Sequence, residues 1–158
     1  MKSLLALAAC IGFVISGLAA SPPAPDPTTT AKVFYGYYFD HHFPDEAKAM
    51  KANKRLFSSR FYAMLMAEFS KPVAAGDAPD LDWDVFTNAQ DTPEGFSVGK
   101  ARIENGIANV AVELLWSPEF KIRKSSVDVI LIEVDHEWKI EDFYYPDQKK
   151  RLTSFLVK

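Results

Sequence analysis

The chain carries one cysteine, Cys10, and none after it. A domain formed downstream of residue 10 therefore has no disulfide, no thiolate nucleophile and no Cys-ligated metal, whatever the redox state of its compartment. Long basic runs are also missing: "KANKR" and "QKKR" are short, and the formal net charge is −3. Phosphate binding needs a concentrated positive face, so nucleic acid is not an expected partner. The seven glycines form neither a Walker A loop nor a dinucleotide fingerprint, and no H-E-x-x-H occurs. No cofactor is expected. One G-x-S-x-G match exists, "GFSVG" from Gly95 to Gly99, with Asp128 and His136 following in hydrolase order. A nucleophile elbow joins a strand to a helix of a parallel sheet, whereas Ser97 precedes a hairpin, so the context refutes the match.

What is present is ordinary globular material: 158 residues, 48% hydrophobic and 25% charged, enough for one domain with a core. Residues 1–20, "MKSLLALAACIGFVISGLAA", place one Lys before an apolar stretch that ends in small residues, the layout of a secretory signal cleaved after Ala19 or Ala20. The stretch from Leu4 to Leu18 is short of the ~20 residues a membrane span needs, so no span is expected after processing. The address implied is periplasmic or secreted. "LAAC", ending at Cys10, also resembles a lipobox, which leaves anchoring through a lipidated Cys10 as the alternative. Loss of the leader removes Lys2 and makes the chain one unit more negative.

Residues 21–30 read as a Pro-rich solvated leader and residues 31–158 as a single domain. "TAKVFYGYYFDHHF" places Val33, Phe34, Tyr37, Tyr38 and His41 on one helical face, ended near Pro44. "PDEAKAMKANKRL" fits a short polar helix with acids in its first turn. "SSRFYAMLMAEFS" fits another, capped by Ser58, with Phe61, Met64, Leu65 and Phe69 on one face. An acidic, turn-rich loop follows from Val73 to Phe96. Strand signals then take over: Asn105-Gly106 supplies the positive φ angles of a type I′ hairpin, and its register puts Ala108, Val110, Val112, Leu114 and Trp116 on one face. "SVDVILIEV" and "EWKIEDFYY" form a second hairpin, and Leu152, Phe155 and Leu156 close the chain at helical spacing. Helices followed by an antiparallel meander predict an α+β fold, with N-terminal helices packed in a curved antiparallel sheet.

This order of elements resembles the nuclear transport factor 2-like superfamily, whose last strand often reads Trp-Lys/Arg-Ile, here Trp138, Lys139 and Ile140. Within it the chain is most similar to an exported bacterial family, domain of unknown function 3828, through "YGYYFD", "DLDWDVFTNAQD", the Asn-Gly hairpin, "WKIEDFYY" and "RLTSFL". The resemblance spans Val33 to Leu156 and implies a cystatin-like cone and an exported address. It implies no single activity, because the wider superfamily holds isomerases, dehydratases, epoxide hydrolases and binding modules.

The candidate residues follow from the strand count. Alternation along "EWKIEDFYY" puts Trp138, Ile140, Asp142 and Tyr144 on one face. An acid among core residues is either a pocket base, with His41 or Tyr38 as its acid partner, or a hydrogen-bond acceptor for a Tyr or for helix N–H groups at the rim. Tyr35, Tyr38, His41, Asp142 and Tyr144 are the expected ligand or partner surface, since Tyr in the first helix keeps a polar tip that a plain core helix does not need. Asp80, Asp82, Asp84 and Asp91 fall at EF-hand spacing, but Val85 stands where the loop needs Gly and Asp91 where it needs Glu, so a solvated acidic loop competes with a metal cage. The function expected is a non-catalytic binding or protein-interaction domain, its partner an envelope protein or a small apolar ligand. The alternative is a small isomerase- or dehydratase-like enzyme with a pocket acid.

Overall fold

The computed structural model of the protein describes residues 25–43, 45–117 and 125–156. The expected signal, Cys10 and Pro44 lie outside them. In chain order come α1 (Pro27–Asp40), α2 (Glu46–Ala52), a 3-10 turn (Lys54–Leu56), α3 (Ser59–Phe69), β1 (Gly95–Glu104), β2 (Ile107–Leu115), β3 (Ser125–Val134), β4 (Glu137–Tyr145), β5 (Lys150–Arg151) and α4 (Thr153–Leu156). The strands form one antiparallel sheet in the order β1-β2-β3-β4-β5, with α1 and α3 packed on one side. The fold is α+β, as the order of sequence signals implies. Among the described residues no helix is long and apolar enough to cross a membrane.

Two features of α1 differ from the sequence reading. The helix begins inside the Pro-rich stretch, so a leader running to residue 30 is too long. Asp26 caps it, accepting from the Thr28 N–H at 2.9 Å, and Pro27 fits the first position because no N–H is needed there and its φ is already helical. The buried face is Ala31, Phe34, Tyr35 and Tyr38. Val33 is 42% exposed and His41 is exposed. "VFYGYYF" is apolar on nearly every side, so periodicity alone does not choose the inward face. In α3, by contrast, Ser58 Oγ accepts from the Phe61 N–H at 3.1 Å and Phe61 and Leu65 are buried, as the spacing implies.

Phe34 is the hub of an aromatic core. Its ring lies 4.9 Å from Phe86, 5.2 Å from Phe57 and 5.5 Å from Tyr35, all edge-on, the arrangement ring quadrupoles favour. Phe86 arrives from the long loop, where Val85, Phe86 and Thr87 are fully buried. Asp84 shapes that turn by accepting from the N–H groups of Phe86 at 2.8 Å and Thr87 at 3.2 Å. The buried loop carbonyls need donors of their own. Tyr35 donates to the Phe86 carbonyl at 2.6 Å and Tyr145 to that of Val85 at 2.8 Å. Both hydroxyls are held in the protonated form by burial, with nearby Asp84 adding to the effect.

The sheet follows its hairpins. Asn105 and Gly106 have φ of 52° and 76°, and Glu104 pairs with Ile107, giving the expected two-residue turn. In β2, Ala108, Val110, Val112 and Leu114 are buried while Ala111, Glu113 and Leu115 are exposed. β4 departs from simple alternation. Leu131 pairs with Ile140 and Ile130 with Asp142, so Glu141 is an extra residue in β4. This bulge resets the faces: Trp138 and Ile140 point to the core, then Phe143 and Tyr145 do, while Asp142 and Tyr144 take the opposite face. The expected grouping of Asp142 with Trp138 and Ile140 is therefore incorrect. Glu141 itself turns to α3, accepting from Ser58 Oγ and the Arg60 guanidinium, and the Ile140 carbonyl accepts from the Ser58 N–H at 2.9 Å.

Candidate functional site

The bulge decides what Asp142 does. Although it leaves the core face, Asp142 is only 2% exposed, because the closing segment covers it. Its Oδ1 accepts from the N–H of Phe143 at 2.9 Å and of Thr153 at 3.2 Å, and its Oδ2 from Thr153 Oγ1 at 2.5 Å. The carboxyl thus fastens the start of α4 to β4. Tyr35 and Tyr38 lie in the aromatic core on the other side of the sheet, where burial pushes the Tyr38 hydroxyl well above its usual range. His41 is exposed at the end of α1, stacked on Tyr37 at 4.0 Å, with Nδ1 2.9 Å from the Tyr37 carbonyl oxygen. These residues and Tyr144 do not converge on one space.

The loop carboxyls do not converge either. Asp84 turns inward as a turn-former, and burial raises its carboxyl against the opposing effect of hydrogen bonds from Thr87, Phe86 and Tyr38. Asp80 pairs with Lys71 at 3.2 Å, while Asp82 and Asp91 are exposed. Among the described residues no group of three or more His, Cys, Asp or Glu could hold a metal ion.

Tyr144 opens a different site. On the face away from α1 and α3, the registers align Arg102, Asn109 and Ile130 in one row, and Ala111, Asp128, Tyr144 and Arg151 in the next. Over these rows lies an open trough of about 480 Å3 with Lys100 and Arg102 on its β1 side and Arg151 on its β5 side. β1 carries a bulge between Val98 and Ala101, and a Cβ at Gly99 would stand 3.2 Å from the Ala111 carbonyl oxygen. Asp128 is half-buried in the floor, its carboxyl pushed above the usual range by burial and drawn back by Arg102. The side chains of Lys100 and Arg151 make no ion pair or hydrogen bond among the described residues. A wider depression, about 860 Å3, lies beside Trp138 and the start of α1.

The trough brings together charges and hydrogen-bonding groups, an arrangement suited to recognition. Sequence reading finds Tyr144 in it and misses Lys100, Arg102, Asn109, Asp128 and Arg151. Carrying the outward register of β2 across to its neighbours would locate Asn109 and its row.

Fold and trough together define a class: an α+β domain whose sheet is covered by helices on one side and, among the described residues, left open as a polar surface on the other. No protein-family model matches the chain, and no curated protein does. Among solved structures, the chain resembles one in the native crystal structure of the type VI effector-immunity complex Tae3-Tai3 from Ralstonia pickettii. The TM-score is 0.56 and the identity 21%, over 77% of this chain and 95% of that one. The selenomethionine form of that complex gives a TM-score of 0.54 at 20% identity, over 76% and 96%. At this identity the likeness is one of fold.

Proposed function

We propose that the protein is an exported, non-catalytic domain that binds another protein, of the kind that neutralises an effector in an effector–immunity pair. The observation that carries this reading is the division of labour between the two sheet faces. The helix side is packed with aromatic rings, while the helix-free side presents an open trough with uncommitted cations. The fold likeness to a chain of an effector–immunity complex supports the same reading. The enzyme alternative needs the Asp142 carboxyl free to take a proton from a substrate, yet both its oxygens are engaged by Phe143 and Thr153. In this reading residues 1–20 deliver the domain to the envelope, with Cys10 as an alternative anchor, and the resemblance to the domain of unknown function 3828 family describes its ancestry.

The test is co-expression with the type VI effectors of the source bacterium. The reading expects one effector to form an equimolar complex that survives gel filtration, and expects cells carrying the protein to survive that effector. Failure of every such effector to bind contradicts it.

A further inference from the structure

We propose that the trough on the helix-free face receives an acidic polypeptide segment of the partner, its carboxylates held by Arg102 and Arg151. This rests on the protein-binding reading and adds the chemistry of the contact.

The argument is one of charge placement. A chain of net charge −3 sets Lys100 and Arg102 on one side of the trough and Arg151 on the other, against Glu104 and Asp128 in its lining. Asp128 already faces Arg102, and Lys100 and Arg151 have no partner among the described residues. Beyond Arg151 a second depression of about 450 Å3 is lined by Lys149, Lys150 and Arg60; the Arg60 guanidinium is already paired with Glu141, so the two lysines carry the positive surface along the β5 edge. Arginine suits carboxylates because its planar fork donates two parallel hydrogen bonds. Asn109 and Tyr144 add neutral polar groups to the lining, and exposed Ile107 and Leu115 on the same face of β2 offer apolar contact at its ends. The chain does not itself supply an acidic segment from outside the described residues: residues 1–24 contain no Asp or Glu, and residues 118–124 contain one Glu among three basic residues.

The experiment titrates the isotope-labelled domain with a hexaglutamate peptide and follows backbone amide shifts, for the parent and for an Arg102→Gln/Arg151→Gln double variant. Both arginines are exposed, so the variant is expected to keep the parent's unfolding midpoint. The proposal expects shifts at Asn109, Asp128, Tyr144 and Arg151, weakening with salt, and a loss of affinity of about tenfold or more in the variant. Shifts elsewhere, equal affinity in the variant, or no binding overturns it. So does tighter occupancy of the same residues by phosphatidylglycerol vesicles, by a DNA duplex, or by a second copy of the chain seen as a concentration-dependent dimer. If an effector co-purifies with the double variant as well as with the parent, the trough assignment falls while the protein-binding reading stands.

Discussion

Asp142→Ala tests whether the buried acid of β4 is a fastener. The substitution removes the acceptor of three hydrogen bonds: the N–H groups of Phe143 and Thr153, and the Thr153 hydroxyl. Stranding a buried donor costs about 1 to 3 kcal/mol. Thr153 is half-buried, so water recovers part of that loss, and about 1 kcal/mol per bond gives a total of about 3 kcal/mol. Asp142→Asn keeps one acceptor oxygen and Thr153→Val removes one donor, so each costs about 1 kcal/mol. Urea unfolding at constant slope, read as shifts in midpoint, checks the ranking. An Asp142→Ala protein as stable as its parent, or more stable, refutes the reasoning and is the behaviour expected of an acid kept for chemistry at a cost in stability.

Three further outcomes follow from the packing. Phe86→Ala removes a fully buried ring from the hub around Phe34 and lowers stability by about 3 to 5 kcal/mol, measured by the same unfolding assay. The second hairpin turns on Asp135 and His136, both at positive φ (50° and 62°), so replacing the pair with Asn-Gly raises stability by roughly 1 kcal/mol and the thermal midpoint with it. Burial holds the Glu46 carboxyl above its usual range, with Asp84 and Asp45 adding to it. Its ionisation therefore works against folding: stability is full below the unfolded carboxyl range and is lost as pH rises through the folded value. Glu46→Gln is accordingly more stable than the parent at neutral pH, and pH-dependent unfolding shows the advantage fading as the parent's carboxyl protonates.

The parts of this molecule legible from sequence are those governed by local rules. Asn105-Gly106 names its own turn, Ser58 its own helix cap, and β2 its own faces. Non-local geometry hid the rest. Glu141 bulges because the Phe57–Ser58 segment pairs alongside Ile140, and nothing within "EWKIEDFYY" announces that, so every residue after it changes face. The tyrosines of α1 suggested an exposed surface, yet Tyr35 spends its hydroxyl on a carbonyl of a loop 51 residues away. The trough draws on all five strands, each giving one to three residues that are unremarkable alone. Only the completed register gathers Arg102, Asp128 and Arg151.

The central claim, that the protein works by binding a partner across its helix-free face, is tested most directly by blocking the trough floor. Ala111 is exposed there and outside the core. Ala111→Trp fills the trough without touching the helix-covered side. Gel filtration with the protein partner found by co-expression is expected to show the complex lost while the variant's unfolding midpoint stays at the parent value. A complex that forms unchanged around that tryptophan contradicts the account.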